Sequence, residues 1–141
     1  MPFLVDGDNL LGSWKGRSRS DAERQRLAGE LRRFASRERR SLLLVFDGTE
    51  PPGLHLGADV RFAGPGRSAD ELILALLRDQ EDRRGWTVVT SDRSLGDQCR
   101  YMRARVERCD RFRSRLADAG SADKPEREFE VDYWLERFTR D

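Results

Sequence analysis

Phe3-Leu4-Val5-Asp6-Gly7-Asp8-Asn9-Leu10-Leu11 decides the fold class of this chain. Three apolar residues in succession suit a strand buried on both faces, as in a parallel sheet. The run stops abruptly at two carboxylates. Ionised carboxylates beside an apolar interior need partners, and metal ions are the usual ones. The stretch is therefore expected to supply the first ligands of a divalent-metal site.

The same pattern recurs further along. Leu42-Leu43-Leu44-Val45-Phe46 ends in Asp47-Gly48, and Trp86-Thr87-Val88-Val89-Thr90 ends in Ser91-Asp92. Asp59-Val60-Arg61-Phe62-Ala63 alternates like a strand nearer an edge, and a weak fifth strand is expected around Ala104–Cys109. Helices are expected between them. Ser20-Asp21-Ala22-Glu23 is a capping-box pattern, followed by an apolar stripe at Leu27, Leu31, Phe34 and Ala35. Ser68-Ala69-Asp70-Glu71 opens a second helix, with Leu72, Ile73, Leu76 and Leu77 inward and Gly85 as its stop. Ser94 is expected to cap a third, carrying Leu95, Cys99 and Met102. Gly12–Arg19 reads as a polar loop, and Phe112 and Leu116 suggest a short helix. Residues 1–120 are thus expected to form one domain. Residues 121–141 follow as a linker and a last helix (Val131, Trp134, Leu135, Phe138) packed on the same domain.

Strands alternating with helices imply an α/β fold with a mainly parallel sheet of four to five strands. Such sheets bind ligands beyond the carboxyl ends of the strands, where strand order reverses. Asp6, Asp47 and Asp92 follow strand ends, and Asp70 lies in the first turn of a helix, whose dipole favours an anion. Four separate elements therefore bring an acid to one rim.

Composition narrows the chemistry. The 141 residues fit one core, and their 38% charged content is offset by apolar residues gathered in short runs. No stretch approaches the ~20 apolar residues of a membrane span, and no secretory signal is read, so a cytoplasmic protein without membrane association is expected. His55, the only histidine, sits in the loop-like Pro51-Pro52-Gly53-Leu54-His55, which disfavours Ser-His or Cys-His catalysis. Cys99 and Cys109 are the only cysteines and read as core residues. Net charge is only +1, but Lys15–Arg40 holds ten Lys/Arg against four Asp/Glu, and Arg93–Arg115 eight against three. Two basic segments flanking an acidic rim favour a nucleic-acid partner.

Clustered carboxylates without His or Cys suit Mg2+ or Mn2+, hard ions that prefer oxygen. Asp6, Asp47, Asp70, Asp92 and Asp97 are the candidate metal ligands, with Asp8 and Glu71 behind them. Glu71 has a ready structural job as the capping partner of Ser68, and Asp97 could do the same for Ser94. Asn9 is expected to orient a neighbouring ligand. Ser91, Arg93, Trp14, Lys15 and Arg17 are the candidate substrate contacts. The reaction class that follows is metal-dependent phosphodiester hydrolysis.

Val5-Asp6-Gly7-Asp8-Asn9, Val45-Phe46-Asp47-Gly48, Ser68-Ala69-Asp70-Glu71-Leu72-Ile73 and Val89-Thr90-Ser91-Asp92-Arg93 together resemble the four blocks of the YacP-like NYN domain, a PIN-like ribonuclease family. The resemblance spans about residues 1–117. It implies a PIN-like three-layer α/β/α sandwich, an Mg2+- or Mn2+-binding acidic pocket, and endoribonuclease activity; RNA is the expected partner, with mRNA and ribosome-associated RNA left open as its form. By motif, Asp6, Asn9, Asp70 and Asp92 take the catalytic positions and Asp47 the acid after the second strand. Asp8 departs from the pattern, which expects an aromatic such as tyrosine there. Two other readings compete. In a haloacid-dehalogenase-like phosphatase, Asp6 and Asp8 would be nucleophile and acid, but Lys15 and Lys124 are poorly placed for its lysine. A non-catalytic RNA-binding module would gain nothing from acids near phosphate.

Overall fold

The computed structural model describes residues 2–123, with side chains described to residue 118. Among the described residues the chain divides into two units, the first ending at Asp110 and the second beginning at Arg111. The expected last helix and Lys124 lie outside the described residues.

Five strands form one all-parallel sheet: β1 (Phe3–Asp6), β2 (Leu42–Phe46), β3 (Val60–Phe62), β4 (Thr87–Val89) and β5 (Arg105–Glu107). Their spatial order is β3-β2-β1-β4-β5. The chain moves outward from β1 on one side, then returns to build the other, so strand order reverses between β1 and β4. That is the crevice where α/β sheets bind ligands. Register sets Phe3 opposite Leu42 in β2 and opposite Thr87 in β4.

The helices are α1 (Gly7–Gly12), α2 (Asp21–Glu38), α3 (Ala69–Arg78), α4 (Arg93–Tyr101) and α5 (Cys109–Asp123). Side chains alternate across the sheet. Leu4, Val45 and Val88 face one way and share a buried cluster with Leu72, Ile73 and Leu77 of α3 and Leu95 and Cys99 of α4. Phe3 and Phe46 face the other way. Phe3 meets Phe34 of α2 at 5.8 Å between ring centroids, and Phe46 lies against Gly7 of α1. Helices thus cover both faces of the sheet, the sandwich expected. No helix among the described residues is long and apolar enough to cross a membrane.

Several boundaries differ from expectation. The stretch after β1, for which no helix was expected, is the six-residue α1, which begins at once. Gly7 makes this possible, because a Cβ there would run into the Phe46 ring. Helix α3 stops at Arg78, not Gly85. Asp79–Asp82 offers nothing apolar to bury, and Asp82 caps a separate 3-10 turn at Arg83–Gly85. Asp92, not Ser94, caps α4, its Oδ1 accepting the Leu95 N–H at 3.0 Å. Helix α5 runs through Asp123, into the stretch expected as a linker. The two capping boxes divide. Ser68 and Glu71 form a complete one, whereas Ser20 caps Glu23 one way only, because the Glu23 carboxylate turns to Arg17.

Candidate active site

The two-residue period of the strands sorts the acids. Asp6 shares a face with Leu4, Asp47 with Val45 and Thr90 with Val88, all toward the α3–α4 layer. Helix α3 starts on that layer, which brings Asp70 in from its first turn. Asp92 arrives as the residue that caps α4. Asp6, Asp47, Asp70 and Asp92 therefore meet on one rim, at the switch point.

Their electrostatics show the meeting. Asp6 is 4% exposed. Burial first, then the charge of Asp70 and more weakly that of Asp47, push its carboxyl up to about 7, against the hydrogen bond from Thr90. Asp70 is raised as well, by burial and then by Asp92, Asp47 and Glu71. Among the described residues no three His, Cys, Asp or Glu side chains close into a ready-made cage. The four acids feel one another without coalescing. Such a set is all oxygen, acidic and under mutual repulsion, and that chemistry fits a hard divalent cation.

Two hydrogen-bond systems hold the rim. On the β4 side, the Thr90 hydroxyl lies 3.1 Å from Asp6 Oδ2 and 3.3 Å from Asn9 Oδ1. Asn9 Oδ1 also accepts from the Ser91 N–H at 2.7 Å and the Cys109 thiol at 3.3 Å. Ser91 Oγ accepts the Cys109 N–H at 2.9 Å. Asn9 thus ties the β1 exit to the start of α4, and its carbonyl oxygen is fully engaged. On the β2 side, Asp47 Oδ1 accepts the Ala69 N–H at 2.7 Å, anchoring the start of α3. Asp8 Oδ2 accepts the Asp47 N–H at 2.8 Å, and Arg24 grips both Asp8 oxygens at 3.1 and 2.9 Å.

The remaining candidates separate from the rim. Asp97 lies on the outer face of α4, its side chain 71% exposed and paired with Arg100 at 3.3 Å. Glu71 is spent on the capping box. Asp8 is saturated by Arg24, which also removes the Asp6–Asp8 pair that a dehalogenase-like phosphatase would use. Arg17 is committed to Glu23 at 2.7 Å and Glu30 at 2.8 Å and lies over the Trp14 ring, so these two residues brace the α1–α2 loop. Lys15 is exposed on that loop and Arg93 at the first turn of α4. Cys99 and Cys109 are buried and unpaired, as expected.

Sequence reasoning missed three contributors. Thr90 carried a signal, as the polar residue ending an apolar run in phase with Val88. Arg24 and Cys109 carried none, since their partners lie 16 and 100 residues away.

Solved structures share this architecture. Rae1 (YacP) from Bacillus subtilis matches with a TM-score of 0.71 at 18% identity, covering 94% of this chain and 83% of that one. A point mutant of it matches with a TM-score of 0.69 at 21% identity, over 86% and 77%. No curated protein matches. The YacP-like NYN domain, a PIN-like and RNA-acting nuclease family, matches residues 3–128, and with that span this chain belongs to it.

Proposed function

We propose that this chain is a divalent-metal-dependent endoribonuclease acting on RNA phosphodiester bonds. The observation that carries the reading is the convergence of four acids from four elements at the switch point of the sheet, where Asp70 and Asp47 help to raise the Asp6 carboxyl and Asp92 and Asp47 that of Asp70. Asp6, Asp70 and Asp92 would hold the ion, with Asp47 beside them. A bound Mg2+ or Mn2+ supplies Lewis-acid polarisation of the phosphodiester and lowers the pKa of water. Asn9 and Thr90 fix the Asp6 carboxylate and the Ser91 backbone against each other. Arg93, exposed at the first turn of α4, is placed to bind a backbone phosphate. Unpaired Cys99 and Cys109 suit a reducing cytoplasm.

The test is cleavage of end-labelled single-stranded RNA, free and as ribosome-bound mRNA, in Mn2+ or in EDTA. Internal cuts are expected in Mn2+ and none in EDTA. Asp6→Asn and Asp92→Asn are each expected to lose roughly 100-fold or more, the upper range for loss of metal-site function. Cleavage that persists in EDTA, or in both variants, refutes the proposal.

A further inference from the structure

We infer that the Asp8–Arg24 ion pair is a positioning device for the β2–α3 side of the acidic rim, with Asp8 excluded from metal binding. The inference rests on the reading of the rim as a metal site.

Asp8 stands where the family pattern expects an aromatic. It is 4% exposed, with both oxygens engaged. Arg24, from the first turns of α2, spans the carboxylate in a bidentate grip, the strongest geometry for this kind of pair. Its guanidinium lies over the rings of Phe46 at 5.0 Å and Phe62 at 5.7 Å, and Nη2 also reaches the Asp47 carbonyl at 3.4 Å. Asp47 is therefore held by its backbone from both ends, its N–H by Asp8 and its C=O by Arg24. Its Oδ1 in turn holds the Ala69 N–H, the first residue of α3, and Asp70 follows directly. A continuous chain of polar contacts runs Arg24, Asp8, Asp47, Ala69. Among the described residues no such contact links Arg24 to the β4–α4 side, where Asp92 caps Leu95.

Charge adds a second argument. A bare Asp8 carboxylate would put a fifth acid beside the four of the rim, since its Oδ2 sits 2.8 Å from the Asp47 N–H. Bidentate pairing cancels that charge locally. Removing Asp8 alone would instead leave the Arg24 cation next to Asp47, competing with a metal ion. The pair can be lost together with less harm than its charge imbalance would suggest, and this gives a non-additive signature.

The test is a double-mutant cycle of Asp8→Asn, Arg24→Met and both together, read two ways. Mn2+ affinity is measured by calorimetry, and amide exchange in EDTA is followed at Asp47, Ala69 and Leu95. Each single variant is expected to weaken Mn2+ binding roughly tenfold, the lower range for groups that orient metal ligands. Each should also speed exchange at Asp47 and Ala69 while leaving Leu95 protected. The double variant should lose no more than either single. Arg24→Lys keeps the charge and the buried stem but cannot span both oxygens, and should speed Ala69 exchange in the same direction if a neutral variant does not fold. Wild-type exchange at Ala69 in the single variants, or affinity losses that multiply in the double, overturns the inference. Failure of the wild type to bind Mn2+ refutes the nuclease reading instead, and the exchange arm still decides the positioning role.

Discussion

Asp6→Asn separates the electrostatic account of the rim from any other. The Asp6 carboxyl is raised from 3.8 to about 7, chiefly by burial and then by Asp70. The folded protein therefore holds a proton between about pH 4 and pH 7 that the unfolded chain has released. With fewer protons on the unfolded state, stability falls as pH rises through that window. A shift of about three units corresponds to about 4 kcal/mol, absent at pH 4 and fully developed above pH 7. Asparagine keeps the shape and an oxygen for the Thr90 hydroxyl but has no charge to desolvate. In EDTA at pH 8 the variant is expected to be more stable than wild type by about 2–4 kcal/mol, a rise in Tm on the order of 10 °C for a domain of this size. At pH 4 the two should agree within about 1 kcal/mol. A shallower slope remains in the variant, because Asp70 is raised too. Mn2+ should reverse the ranking at pH 8 by stabilising wild type and not the variant. Urea unfolding followed by circular dichroism at pH 4, 6 and 8 reads all of this. Parallel stability-against-pH curves for the two proteins would refute the reasoning.

Gly7→Ala should destabilise by about 1–3 kcal/mol, since its methyl meets the Phe46 ring where α1 turns off β1, and thermal unfolding measures the loss. Thr90→Val removes the hydroxyl shared by Asp6 and Asn9. It should lower Mn2+-dependent RNA cleavage roughly tenfold or more and, because the buried hydroxyl also accepts the Asp92 N–H, destabilise by about 1–3 kcal/mol in urea unfolding; equal activity would show the contact to be idle. Asp97→Asn should leave Mn2+ affinity in calorimetry within about twofold of wild type, because the side chain is exposed and pairs with Arg100 in solvent.

What could be read from the sequence was whatever short-range periodicity and run ends encode. The apolar runs at Phe3, Leu42 and Trp86 announce their own burial, and the acid after each announces the rim. Glu71 could be assigned to its capping box because its partner is three residues away. The fate of Asp8 and Arg17 could not be read. A carboxylate looks alike as metal ligand or as counter-ion, and the choice is made by an arginine on another helix. Helix α1 escaped notice because a six-residue helix lacks the turns needed to display a period, and most of its residues are buried. Asp92 outcompeted Ser94 as cap because the chain already turns helical at Arg93, a boundary that propensity does not fix.

The central position of β1 has a consequence for biogenesis. Its two neighbours are β2 and β4, and Thr90 meets Asp6 across a separation of 84 residues. A nascent chain that has emerged only through α3 already carries Asp6, Asp47 and Asp70 but lacks the strand that seats Asp92 and the hydroxyl that pins Asp6. Closing so long a loop is slow and comes late. The nucleolytic competence proposed for this protein would thus be withheld during synthesis, arriving only when β4 inserts beside the first strand made.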